Sequence, residues 1–136
     1  MKKIILPGLA AGVATLIIGM IVSYLFMLFP SVAADFKNAG VMRSWADPLM
    51  YLFFLTPFVS GVIYAWAWNM SKRLFKGSPA KRGACFGSSI WLISTVPGMV
   101  ISYTSFSLSL LTIISWTLGG LLSNMTAGMI FAKMNK

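Results

Sequence analysis

Two aspartates, a single cysteine and no histidine or glutamate make up nearly all of this chain's resources for acid–base, metal or thiol chemistry. Asp35 and Asp47 fall in one polar stretch, 31–47, together with Lys37 and Arg43. General acid–base catalysis and metal binding need several such groups converging on one point. Two carboxylates sharing a loop with two cations are too few. Cys85 has no partner for thiol–disulfide exchange and reads as a small apolar packing residue. A serine nucleophile with a histidine base is excluded by the inventory. A serine–lysine pair would need a desolvated lysine, yet every lysine lies outside the apolar runs. The ten methionines are not grouped with cysteine or histidine as a soft-metal site would want, and read as flexible apolar filler. The chain is therefore expected to be non-catalytic, with no catalytic residue, no metal and no cofactor.

What surrounds these few groups is apolar. Residues 4–29, 48–69, 84–106 and 108–132 form four runs without an acid, a base or a histidine. Each reaches the ~20 residues that cross a hydrocarbon core of ~30 Å. With 58% hydrophobic and only 10% charged residues, the chain lacks the polar surface to solvate a globule of its size. The expected fold is an all-α membrane protein, one domain over 1–136, with four transmembrane helices in a compact bundle. The first run resembles a secretory leader, with Lys2-Lys3 before it and Ser31-Val32-Ala33-Ala34 after it. It is longer than the ~7–15 residues of a leader's apolar core, so it reads as a true first span. A proton-coupled four-span exporter relies on an acid in its first span, and 4–29 has none.

The formal charge of +9 is distributed unevenly. Lys2 and Lys3 precede the first run, Lys133 and Lys136 follow the last, and Lys72, Arg73, Lys76, Lys81 and Arg82 fall between the second and third. Nine of the eleven basic residues thus sit in the tails and the second connection. The positive-inside rule places both termini and that connection in the cytoplasm of a bacterial-type inner or plasma membrane. The five basic residues of the second connection are expected to meet anionic lipid headgroups. Nucleic acid is not expected as a partner, because no aromatic-basic surface stands outside the membrane to stack bases.

Five local features refine the bundle. Pro7 suits a first helical turn, where its missing N–H has no bond to lose. Residues 32–45 allow a short interfacial helix with Phe36 and Trp45 as anchors. Pro48 suits the start of the second span. Pro57 and Pro97-Gly98 predict kinks inside the second and third spans. Tyr64, Trp66 and Trp68 read as an aromatic belt at the headgroups.

Small residues recur at helical spacing in every span. The first carries Gly8, Gly12, Thr15, Gly19 and Ser23, and the second Pro57, Gly61 and Ala65. The third carries Ala84, Gly87, Ser94, Gly98, Ser102 and Ser105, and the fourth Ser109, Thr112, Ser115, Gly119, Ser123 and Thr126. Steps of three and four keep each set on one helix face. In lipid no hydrophobic effect draws helices together, so such faces provide close backbone approach, or alternatively line a polar path. Asn124, inside the fourth span, is expected to bond across helices. Two functions follow. The first is an accessory or scaffold subunit packed in a larger membrane complex or homo-oligomer. The alternative is a small oligomeric channel or passive carrier for a neutral or anionic solute.

Overall fold

The computed structural model describes residues 2–38 and 40–135. Its elements are α1 (Lys2–Phe26), α2 (Pro30–Lys37), α3 (Met50–Ser71) with a 3-10 turn Lys72–Leu74, α4 (Pro79–Ile90), a π-helical segment Trp91–Thr95, α5 (Val96–Ser105) and α6 (Leu110–Met134). Four stretches are long and apolar enough to cross a membrane: α1, α3 with its 3-10 turn, α4 through α5, and α6. The chain is an all-α bundle of the multi-pass membrane type, with no strand among the described residues.

The helices form a row. α1 packs between α3 and α6, and α6 packs between α1 and α4. Glycine sets the two outer crossings. At the first, a Cβ on Gly8 would lie 2.6 Å from the Val62 backbone, and one on Gly12 would lie 2.9 Å from that of Phe58. Gly61 answers from α3, directly against the Gly8 carbonyl. At the second, Gly83 and Gly87 of α4 meet the backbone of Asn124, Met125, Gly128 and Met129 of α6. Backbone on backbone is the closest approach two helices can make. It replaces in dispersion what the hydrophobic effect cannot supply in lipid.

Several helix ends differ from the sequence expectation. α1 begins at Lys2, so Pro7 lies within the helix and not in its first turn. The missing proline N–H frees the carbonyl four residues earlier, Lys3 O, and this accepts from Asn135 Nδ2 at 2.6 Å. The interfacial helix runs Pro30–Lys37 and leaves Trp45 in the following turn, against Phe53 and Phe54 at 6.2 and 6.3 Å. α3 starts at Met50, two residues past Pro48. α4 starts at Pro79, capped by Ser78, so Lys81 and Arg82 belong to its first turn and not to the loop. Gly77 turns the chain into that cap with φ of 113°, where a side chain would be strained.

Pro97 is accommodated by the wider π segment. Val96 N–H bonds Trp91 O, five residues back, and the chain re-enters α-helix at Val96 with the proline in its first turn. Beyond this segment α5 touches α6 only lightly, whereas α4 and α6 stay tightly packed.

Asp35 fixes the other end of the bundle. Its Oδ2 accepts from Ser109 N at 2.9 Å, Ser109 Oγ at 2.6 Å and Thr112 Oγ1 at 2.6 Å, across the start of α6. A carboxylate is favoured at a helix N-terminus, where N–H groups lack partners. Burial pushes its pKa up, and the Ser109 and Thr112 donors outweigh that, leaving it below the ordinary 3.8. A lowered folded pKa stabilises the fold above the unfolded value, and that stability is lost as pH falls through the folded one. Asp35→Ala is therefore expected to lower stability at neutral pH by roughly 1–2 kcal/mol, below the full ~1.5–3 for charged hydrogen bonds because the carboxylate is partly solvated. Thermal unfolding in detergent at falling pH checks this: the gap between wild type and variant should close in acid, and a constant gap would contradict the ionic clasp.

Candidate functional site: a polar cleft midway through the bundle

α1 and α6 form the floor of a groove whose walls are α3 and the π segment. Midway along all four spans it widens into a cavity of about 250 Å³, lined by Thr15, Thr56, Pro57, Ser60, Gly61, Tyr64, Thr95, Ser123, Asn124 and Ala127. The crossing at Gly8, Gly12 and Gly61 holds α3 to α1 along one wall. The π segment carries Thr95 to the other side, where it accepts from Asn124 Nδ2 at 3.3 Å. Gly120, one turn earlier on α6, leaves room for the Thr95 side chain, which a Cβ there would meet at 2.8 Å.

The lining is uncharged and its polar groups divide in two. Thr15 Oγ1 donates to Gly12 O at 3.1 Å and Thr56 Oγ1 to Leu52 O at 2.8 Å, the usual way a helix absorbs its own hydroxyls. Ser60, Tyr64 and Ser123 have no hydrogen-bond partner among the described residues, yet their oxygens are not sealed from the cavity. Elsewhere in the spans Ser89, Ser94, Ser102 and Thr117 all bond the carbonyl four residues back, at 2.7–2.9 Å. Ser23, Ser88, Ser115 and Thr126 are likewise without a side-chain bond among the described residues, so what marks this cavity is that three such hydroxyls and the Asn124 amide line one space.

One end of the groove is closed by aromatic rings. Trp68 is fully buried, stacked on Phe75 at 6.0 Å and edge-on to Phe86 at 5.3 Å, and Phe86 meets Phe131 at 6.2 Å. Trp68 and Phe131 stand one helical turn beyond Tyr64 and Ala127 of the cleft, on the same faces. The Arg82 guanidinium covers the Trp68 ring at 5.4 Å and donates through Nη2 to Lys72 O at 3.3 Å. Trp68 Nε1 reaches Asn135 O at 3.4 Å, and Asn135 ties to Lys3. The ends of α1, α3, α4 and α6 thus meet at one ring system.

The residues singled out from sequence fall into different roles. Gly8, Gly12, Gly61 and Gly87 make backbone contacts between helices. Gly19 and Gly98 do not: nothing lies within 4 Å of a Cβ at either. Ser109 and Thr112, read as packing or path-lining, cap α6 and hold Asp35. Ser115 is buried, and Gly119 faces the Val22 side chain at an ordinary 3.4 Å. Ser123, Asn124 and Pro57 line the cleft, whereas Pro97 follows the π segment outside its lining. Arg73, Lys76 and Lys81 are exposed, Lys72 is half-buried, and Arg82 is held on Trp68 instead of reaching outward. Trp68 is a core residue, not a headgroup anchor.

Ser60, Gly83, Gly128 and Asn135 escaped the sequence reading, and Tyr64, read as a headgroup anchor, lines the cleft instead. Gly83 and Gly87 carried a signal, two glycines four apart in an otherwise amphipathic turn. Ser60 carried none, because one serine in a span looks like any other. Comparisons with family models, curated proteins and solved structures find no match to this chain.

Proposed function

We propose that the protein is a non-catalytic membrane protein that binds a small neutral solute midway through the bilayer and passes it passively. The observation that supports this is the uncharged cleft with three unpartnered hydroxyls, where unsatisfied polar groups in hydrocarbon are costly and invite an occupant. No cation lines the cleft, which argues for a neutral over an anionic solute. Contributions from all four spans and a broken helix at the π segment resemble the way membrane carriers build midplane sites. The test is flux in proteoliposomes. Solute should move down its own gradient, and an imposed pH gradient without a solute gradient should drive none, since the spans hold no acid or histidine to carry a proton. Movement driven by pH alone would overturn the reading.

A second reading, an accessory or scaffold subunit of a larger complex or homo-oligomer, draws on a different feature. α3 and α5 make no extended contact, so the groove between them is open sideways and a neighbouring helix would complete it. Foreign subunits retained in stoichiometric amounts through purification, with no flux from the isolated protein, would favour it.

In either reading we place both termini and the 72–82 connection in the cytoplasm of a bacterial-type membrane, with Arg73, Lys76 and Lys81 against anionic headgroups. Cysteines introduced at Ser78 and Ser31 should be labelled from opposite sides. Labelling of both from outside would overturn this topology.

A further inference from the structure

We infer that the ligand of the cleft is a small uncharged solute bearing at least two hydroxyl or amide groups, a short polyol or a urea-like molecule. The inference rests on the reading of the cleft as a solute site and goes on to its chemistry. Ser60 and Tyr64 are one turn apart on α3, which puts their Cβ atoms about 5–6 Å apart on one face. Ser123 lies across the cleft on α6. These three hydroxyls each keep a proton to give and lone pairs to accept. Asn124 donates to Thr95 through its nitrogen, which leaves its Oδ1 as an acceptor. The occupant must therefore accept at several points and donate at one or more.

Size and charge narrow it further. A space of about 250 Å³ is at the small end for a ligand site and admits a molecule of a few heavy atoms, or a cluster of waters. An ion would find no countercharge among the lining residues, and a purely apolar molecule would leave the hydroxyls unpaired.

Saturation-transfer NMR on the full chain in nanodiscs tests this, with glycerol and urea as probes. Transfer to both probes should exceed that of empty nanodiscs and fall at least fivefold in the double variant Ser60→Ala, Ser123→Ala. Alanine removes the hydroxyls without adding bulk, so the fold is retained. Ser94→Ala, whose hydroxyl is bonded to Ile90 O at 2.7 Å, is the control and should leave transfer unchanged. Equal transfer in wild type, double variant and empty nanodiscs would overturn the ligand class. So would water permeation through the protein with no transfer to either probe. Flux is read separately in proteoliposomes: binding without flux would refute passage and leave the ligand chemistry standing.

Discussion

Gly128→Leu is expected to separate α4 from α6 and to be strongly destabilising. A Cβ at Gly128 would run into the Gly83 carbonyl, and would lie 3.0 Å from Gly83 C and 3.1 Å from Gly87 N. These neighbours are backbone on a packed helix, so none can rotate aside. Inserting a few methylenes into an ordinary core costs about 1–3 kcal/mol. Here a whole side chain enters a backbone contact, so the cost lies at or above the top of that range. The helices would part and take with them the Phe86–Phe131 contact at 6.2 Å. Gly19→Ala is the counter-case. Nothing lies within 4 Å of its Cβ, so removing glycine's extra unfolded freedom should leave the helix unchanged or more stable by about 0.5–1 kcal/mol. Thermal unfolding in detergent checks both together. If the two variants unfold at the same temperature, backbone proximity is not what holds α4 on α6.

The pair also shows where sequence reasoning stopped. Gly8, Gly12 and Gly19 belong to one small-residue stripe, and periodicity alone gives them equal standing. α3 crosses α1 only near Gly8 and Gly12, because its own matching glycine, Gly61, stands there. A stripe records which face a residue is on, not how far along that face a neighbour extends. The spans themselves were legible because length and hydropathy are properties of a segment taken alone. Their ends were less so: Lys81 and Arg82 look like loop residues by charge, yet Ser78 and Pro79 begin the helix before them. Ser109 and Thr112 show the same limit. As hydroxyls in the fourth run they read as helix packing or a path lining, and only the fold brings Asp35, more than seventy residues away in sequence, onto them. The cleft depended on tertiary structure most of all. Ser60 and Ser123 are marked out by lining one cleft from α3 and α6, and a sequence does not record that meeting.

Trp68→Ala is expected to have a double effect, lowering stability and opening the cleft toward the basic end of the bundle. Trp68 is fully buried against Phe75 and Phe86, and truncating a buried tryptophan costs about 3–5 kcal/mol. The loss extends beyond the ring. Arg82 would lose the surface beneath its guanidinium, and its Nε, already buried without a hydrogen-bond partner, would gain none from alanine. Trp68→Phe separates packing from polar contact. It retains an aromatic ring for Phe75 and Phe86 and gives up the Nε1–Asn135 O bond, which at 3.4 Å is long and contributes at the low end of about 0.5–1.5 kcal/mol. The phenylalanine variant should therefore unfold close to wild type and the alanine variant far below it. Transport tells whether the ring is also a barrier. Tyr64 and Ala127 are one turn from Trp68 and Phe131, so the void left by alanine adjoins the cleft directly. Passive solute flux through Trp68→Ala, measured well below its unfolding temperature, should rise above wild type, while Trp68→Phe should match it. A lowered unfolding temperature with unchanged flux would make the ring system a structural clasp only, and the path from the cleft would then have to leave between α3 and α5.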